Sequence, residues 1–429
     1  MKRISAPRGT KDFFDSEILK FRELEEIARK IFERFSFKEI KTPIFEDKSL
    51  FIRSLGEFTD IIEKQLLEVK HHDNIYVLRP EGTAGVIRAY LENSLDKKYN
   101  FCKFFYIGPM FRGERPQKGR LRQFHHIGAE IIGSSSPYSD LEIIKCALEI
   151  IKEFGIKDYK LILNSLGCLE DKKRFIKILK EALEPFKEDL CENCKRRFEK
   201  NVLRILDCKQ EGCQRIKKML VLKKEKILCK SCLEHFERLK FLLKRFQVEF
   251  EEDNFLVRGL DYYTQTVFEF ISPELGAQNA FGGGGRYNNL VAELGGVSTP
   301  CVGFALGVER MLLLKKEEKI QTLDVFVVSL NEDFLEKSFE LVYKLREAGF
   351  NVETDFQNKS LKSQMRRANS LQAKFCILIG KEEIEKNFFT VKEMKTGKEF
   401  KISVTNIPTT IISTIHPDKN SAVLNPLSV

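Results

Sequence analysis

No stretch of this 429-residue chain reaches the roughly 18 uncharged residues that a membrane helix needs, and residues 1–7, MKRISAP, carry no apolar signal core. A cytoplasmic protein with no membrane attachment is therefore expected. Tryptophan is absent, histidine occurs only 6 times, and no internal repeat or low-complexity tract is visible. The cysteines number 11, so they cannot all pair, and several fall in Cys-x-x-Cys spacings. That pattern fits a reducing compartment with a metal site better than a disulfide scaffold.

What is present is an ordinary globular balance, 42% hydrophobic and 32% charged, in a chain long enough for two or three domains with sizeable cores. The net charge of +10 is unevenly spread. Residues 187–249 hold 18 Lys and Arg against 10 Asp and Glu, a local +8. A polyanion such as RNA is the partner this implies, because phosphate neutralisation supplies most sequence-independent affinity.

The most informative segment is 106–130, YIGPMFRGERPQKGRLRQFHHIGAE. It reads as a strand, a basic loop and a return strand. Arg112 follows a buried-looking run, and the return strand carries Arg122, His125, His126 and Glu130. Desolvated cations this close need an anionic partner, and a loop with Glu114, Arg115, Gln117, Lys118 and Arg120 suits a phosphate clamp. Taken alone, the segment also reads as an exposed basic hairpin.

Around it, periodicity predicts a helix over 16–34 capped by Asp15 or Ser16, a strand over 37–45 whose Pro43 argues for an edge or an interface, and a helix over 85–93 opened by Thr83. A helix over 139–154, a strand over 159–166 and strands at 255–257 and 266–271 follow. Residues 167–250 read as a helical, Cys-rich insertion and 315–321, KKEEKIQ, as a linker. Beyond it, alternating strands (324–330, 350–354, 374–379) and helices (331–348, 361–370) predict a small α/β domain closed by a hairpin of 388–393 with 398–404.

The segment 106–130 resembles motif 2 of the class II aminoacyl-tRNA synthetases, and its ERPQKGRLRQF core resembles the version in the histidyl-tRNA synthetase family. RPEGT at 79–83, VRGLDYYTQTVFEF at 257–270, GFALGVERMLLL at 303–314 and the N-terminal RGTKDF at 8–13 recur in the order of that family. The resemblance implies an α+β fold: a class II antiparallel sheet with helices in two parts (1–166 and 251–320), the insertion, an anticodon-binding domain (321–415) and a tail (416–429). It also implies a homodimer, with motif 1 at the interface.

By resemblance, Arg112 and Arg258 grip the α-phosphate of ATP, Arg258 standing where relatives often use a metal ion, and Arg310 grips the γ-phosphate. Glu114, Arg120 and Phe124 complete the ATP site, and magnesium accompanies ATP. Glu130 and Tyr263 face the imidazole of L-histidine, Glu81 and Thr83 its amino group, and Tyr262 shapes the pocket. Strand alternation lets only one of the two adjacent tyrosines line the pocket directly. Arg115, Gln117 and Lys118 would meet tRNA(His), and Lys362, Arg366 and Arg367 its anticodon. Two positions depart from the family. His126 replaces a substrate-contacting glutamine and would add a pH dependence; Asn288 replaces an aspartate after the glycine run.

Cys191-x2-Cys194 and Cys229-x2-Cys232 have the spacing of a structural zinc site with two knuckles. Cys208 and Cys213 remain possible substitutes or a second, redox-sensitive pair, and His235 an alternative ligand. The function expected is histidine–tRNA ligation through a histidyl-adenylate. Its rival is a non-catalytic regulatory subunit of histidine biosynthesis with the same fold, which would erode the three arginines.

Overall fold

The computed structural model describes residues 3–56, 59, 61–276, 278–316 and 322–403. Most of the expected linker, the tail and residue 404 of the last expected strand lie outside them. The chain divides into two compact units, 1–318 and 319–429.

The first unit is built on an eight-stranded sheet in the order Lys38–Glu39, Cys102–Phe111, Gln123–Ile132, Cys301–Gly307, Ala280–Arg286, Thr264–Ile271, Lys160–Ser165, Glu251–Glu252. The six inner strands pair antiparallel, and only the two-residue edge strands pair parallel. Alternation assigns the faces. Ile127, Ala129 and Ile131 bury into one core with Phe21, Leu24, Ile31 and Phe32 of the helix Asp15–Arg34. His126, Gly128 and Glu130 therefore point to the opposite face.

The helix Asp15–Arg34 forms from a stripe of apolar residues, but its cap differs from expectation. Phe14 is the N-cap and no side chain caps it, while Asp15 takes a left-handed φ of 49°. Aspartate tolerates that region, and its charge suits the first turn through the helix dipole. The strand expected over 37–45 is two short strands, Lys38–Glu39 and Phe45–Asp47. Pro43 offers no N–H to a ladder, and the buried Arg79 guanidinium takes the Thr42 carbonyl at 2.9 Å instead. Residues 255–257 are not a strand either, because the Asp253 carboxylate captures the Phe255 N–H at 2.8 Å and turns the chain.

Within the stretch read as an insertion, the last helix, Lys230–Arg245, buries Phe236, Leu239, Leu242 and Leu243 in the same core as Ile144 and Ile151 of the helix Pro137–Glu153. The glycine run 282–285 is a sheet strand, not a turn.

The second unit is a five-stranded sheet in the order Val352–Thr354, Val325–Ser329, Phe375–Ile379, Phe388–Glu393, Glu399–Ser403. The first three are parallel and the last two add antiparallel. The helix Leu361–Ser370 buries Gln364 and Ala368 and leaves Lys362 and Arg366 exposed.

The end of the glycine strand is fixed by one fully buried ion pair. Arg286 meets both Asp140 carboxylate oxygens and the carbonyls of Ser134 and Ser136 at 2.8 and 2.7 Å. Removing one partner strands a buried charge. Asp140→Ala should cost the first unit about 3–5 kcal/mol in urea unfolding, and a loss below about 1 kcal/mol, the scale of a surface pair, would contradict this.

Candidate active site

On the sheet face opposite the helix Asp15–Arg34 lies a cavity of about 420 Å³. Arg112, Glu114, Arg120, Phe124, His126 and Glu130 line it from the hairpin Cys102–Phe111 and Gln123–Ile132. Glu81 and Thr83 reach it from the start of the helix Thr83–Glu92; Arg258, Tyr262 and Tyr263 arrive from the loop before the strand Thr264–Ile271; Arg310 comes from the helix Val308–Leu314. Arg115, Gln117 and Lys118 stand outside it, exposed near the tip of the hairpin loop, where Gln117 and Arg120 close a tight turn. Arg366 and Arg367 belong to the second unit.

Each arginine is held by its own fold element. Arg112 donates through Nε to the Pro80 carbonyl at 2.9 Å and lies 5.2 Å from the centroid of the Phe124 ring. Arg258 pairs with Glu269. Arg310 donates to the carbonyls of Gln278 at 2.7 Å, Gly119 at 3.2 Å, and Ala280. Burial lowers Arg112 and pushes Arg310 down to about 10, which leaves Arg310 charged near neutrality. Cations held apart from bulk water around one cavity are a receptor for a polyphosphate.

Glu130 is the centre of the other half of the site. Its carboxyl accepts from Thr83 Oγ1 at 2.7 Å and from Tyr287 Oη at 2.6 Å, with Tyr106 Oη at 3.4 Å. Burial pushes it up to about 8, against the lowering pull of the Tyr287 and Thr83 hydroxyls. The backbone makes room for it: a Cβ at Gly303 would stand 1.6 Å from Glu130 Oε2, and one at Gly128 would meet the Tyr106 ring at 2.4 Å. Glu81 accepts the N–H groups of Thr83 and Ala84 at 2.7 and 2.9 Å, so it caps the helix while facing the cavity; burial raises it too.

Several sequence expectations are revised. Tyr262 and Tyr263 both line the cavity, with ring centroids 4.7 Å apart, because they precede the strand and alternation does not govern them. Asn288 lies away from the cavity: its amide donates to Gln265 Oε1 at 2.8 Å and its oxygen accepts from Cys301 N at 3.1 Å. An aspartate could not supply that donor. His235 is no ligand to the cysteines, since Nε2 lies 3.3 Å from Asp140 Oδ2. The zinc set expected from Cys191, Cys194, Cys229 and Cys232 is also divided. Cys191 and Cys194 meet Cys208 and Cys213, whereas Cys229 and Cys232 meet Cys168 and Asp171. Each Cys-x2-Cys pair opens a different helix, Glu192–Lys200 or Lys230–Arg245, and so faces different neighbours.

Tyr287 and Tyr106, and with them Arg197, Arg204, Asp207 and Lys209 of the Cys-rich stretch, line the cavity without having been read as site residues. The pairing of Tyr106 with Gly128 across the hairpin was a legible signal for Tyr106. Nothing in the local sequence marks the other five.

A family model described as histidyl-tRNA synthetase matches residues 9–311, and one described as anticodon binding domain matches 324–414. The histidine–tRNA ligase of Halothermothrix orenii is 44% identical, covering 94% of this chain and 98% of that protein. That of Thermotoga petrophila is 43% identical over 92% of this chain and 95% of its own. The crystal structure of apo histidyl-tRNA synthetase from S. aureus superposes with a TM-score of 0.78 at 33% identity, covering 95% of this chain and all of that one. An ATP phosphoribosyltransferase regulatory subunit/histidyl-tRNA synthetase from Bacillus halodurans shares the fold, with a TM-score of 0.64 at 18% identity over 86% of this chain and 97% of its own.

Two pH predictions follow from the buried groups. The raised Glu130 pKa means that its contribution to stability is complete below the ordinary value of 4.5 and is lost as pH rises through about 8. In urea titrations the ligand-free protein should therefore lose stability relative to Glu130→Gln across that window, and a constant difference would refute the raised pKa. His126 is the opposite case. Part of its surface faces the cavity, yet burial, reinforced by Arg112, Arg79 and Arg258, pushes it down to about 3. It is neutral throughout the working range, so the pH dependence expected of it is withdrawn. The pH profile of activation should be the same for the wild type and His126→Gln above about pH 5; a wild-type inflection near pH 6–7 that the variant lacks would show a titrating His126.

Proposed function

The chain belongs to the histidyl-tRNA synthetase family, and we propose how its residues divide the work of a histidine–tRNA ligase. The reaction joins the histidine carboxylate to the α-phosphorus of ATP, expels pyrophosphate, and then passes histidine to the 3′-terminal adenosine of tRNA(His). The observation that carries the assignment is the convergence of Arg112, Arg258 and Arg310 on one cavity that also contains Glu130.

Arg112 and Arg258 bind the α-phosphate and the attacking carboxylate, where negative charge accumulates as the pentacoordinate centre forms; Arg310 holds the γ-phosphate and orients the leaving pyrophosphate. Magnesium carried by ATP neutralises phosphate charge when bound. Glu114 and Glu269, the carboxylates facing this half of the cavity, are suitable oxygen donors for it. Phe124 offers a face for the adenine, and Arg120, paired with Glu114 at 3.2 Å, flanks the phosphates.

Glu130 and Tyr263 take the imidazole. With its pKa near 8, Glu130 can share one proton with a ring nitrogen, and an amino acid without such a ring leaves this buried carboxyl unpartnered. Glu81 and Thr83 receive the ammonium group, Tyr262 lies 3.5 Å from Glu81, and neutral His126 packs beside the substrate. Arg115, Gln117 and Lys118 approach the acceptor end of tRNA, while Lys362, Arg366 and Arg367 of the second unit contact its anticodon.

The enzyme acts as a cytoplasmic homodimer. Exposed Phe45, Val69 and Ile75 on the small sheet Phe45–Asp47, Asn74–Leu78, Leu67–His71, with exposed Ile44 just before its first strand, support an interface there. Among the described residues no helix is long and apolar enough to cross a membrane. The regulatory-subunit reading fits poorly with three intact arginines around the cavity.

Histidine-dependent exchange of pyrophosphate into ATP tests this assignment. Arg258→Ala should lower its turnover by about 10²–10³-fold while the Kd for histidine changes far less, the signature of a contact made in the transition state. A wild-type protein that binds histidine but catalyses no exchange would favour the regulatory reading.

A further inference from the structure

The cysteine cluster of the insertion is close to the catalytic cavity in the chain as well as in space. Cys208 is flanked by Asp207 and Lys209, and both of these neighbours line the cavity. We propose that Cys191, Cys194, Cys208 and Cys213 bind one structural zinc ion, and that this ion holds residues 202–209 in place as a wall of the active site.

The geometry is that of a tetrathiolate centre. All four sulfurs lie within 4.8 Å of one another, three of the four residues are buried, and Cys191 Sγ stands 3.8 Å from Cys208 Sγ. A tetrahedral zinc with Zn–S bonds of about 2.3 Å requires S···S separations of about 3.8 Å. The same distance is far beyond the ~2.05 Å of a disulfide, and the cysteines are free. Cys191 is the N-cap of the helix Glu192–Lys200 and Cys194 lies in its first turn, while Cys213 lies in the first turn of the helix Glu211–Met219. The Cys191 N–H points at Cys213 Sγ from 3.4 Å, a hydrogen bond that would stabilise a metal-bound thiolate. Four thiolates fill the coordination shell, so the ion would be structural and not catalytic.

The segment it would hold is fastened at its other end to catalytic backbone. Arg204 Nη1 donates to the Arg258 carbonyl at 3.1 Å and to Asp207 at 2.8 Å, and Asn201 donates to Asp261 at 2.9 Å, just before the tyrosine pair. A shift at Cys208 is therefore transmitted to Asp207, Arg204 and the Arg258 main chain. The second group, Cys168, Asp171, Cys229 and Cys232, has a different character. The Asp171 carboxylate already accepts the N–H groups of Cys229 at 2.9 Å and Cys168 at 3.3 Å and pairs with Arg174 at 3.2 Å. Those bonds join the first turns of the helices Leu169–Leu183 and Lys230–Arg245 without needing an ion.

The zinc assignment stands on geometry alone, whereas its effect on catalysis rests on the function proposed above, and the test separates them. Full-length protein purified under reducing conditions is analysed for zinc by mass spectrometry, for thiols by Ellman titration, and for histidine-dependent pyrophosphate exchange. One zinc per chain is expected in the wild type and in Cys232→Ser and is lost in Cys194→Ser and Cys213→Ser; replacement by cobalt should give the visible bands of a tetrahedral thiolate complex. Chelator-stripped protein should lose exchange activity by about 10²-fold, as misplaced catalytic groups do, and regain it with zinc. Four reactive thiols with substantially less than one zinc per chain, or zinc lost from Cys232→Ser but kept in Cys213→Ser, overturns the site. Full exchange activity in stripped protein overturns the wall. Zinc-loaded protein without any exchange activity would instead count against the ligase assignment and leave the metal site intact.

Discussion

Arg112, Arg258 and Arg310, three of the arginines that line one cavity, must be held there before any anion is present to balance them, and the rest of the first unit is arranged around that constraint. Each arginine is immobilised by neighbouring groups: Arg112 by the Pro80 carbonyl and the Phe124 ring, Arg310 by the carbonyls of Gln278, Ala280 and Gly119, Arg258 by Glu269. Among the described residues, Arg258 alone of the three has a full counter-charge in direct contact. Carbonyl dipoles fix position while leaving net charge, so the cavity stays positive and preorganised for an anion instead of neutralising itself. The antiparallel sheet is suited to this, since it presents ends of several strands and their connecting loops around one surface.

The half of the cavity proposed for histidine follows the opposite logic. Glu130 sits among hydroxyls, with no cation in contact among the described residues, and burial pushes it up to about 8. A carboxyl in that state can share a proton with an imidazole, whose own proton affinity is close to it. Close approach by glycine makes the arrangement possible, because any side chain at Gly303 would collide with the carboxyl. On the proposed assignment, charge for ATP and neutrality for the amino acid are separated within one cavity by whether a side chain meets carbonyls or hydroxyls.

Five of the six inner sheet strands, the helices Asp15–Arg34 and Pro137–Glu153 and the main alternation of the second unit were legible in the sequence from their apolar patterns, whereas the strand Ala280–Arg286, with four glycines, carried no such pattern. The motif arginines and Glu130 were legible through ordered motifs, not through any single residue. Illegible were features set by contacts distant in sequence. Pro43 pointed to an edge or an interface, not to a break filled by the Arg79 guanidinium, and Tyr287 looked like a residue after a glycine run, not a hydrogen-bond donor to a carboxyl 157 positions away. The cysteines illustrate the limit best. Spacing identified both Cys-x2-Cys pairs, yet each lies on the first turn of its own helix, and only the packing of those helices decides that Cys208 and Cys213 join the first pair.

That packing changes what the basic insertion is for. Read from charge alone, residues 187–249 are a module for holding RNA. In the folded chain, Arg197, Arg204, Asp207 and Lys209 reach the cavity, while the helix Lys230–Arg245 is part of the main core. A segment anchored in the core at one end and in the site at the other cannot move freely without disturbing both. Binding of a polyanion on its outer surface would therefore be coupled to the arginines within, since the same backbone at Arg258 receives the Arg204 hydrogen bond. Such coupling requires the short path between them to be stiff, and the four sulfurs clustered beside Asp207 stand on that path, where a bound ion would supply the stiffness.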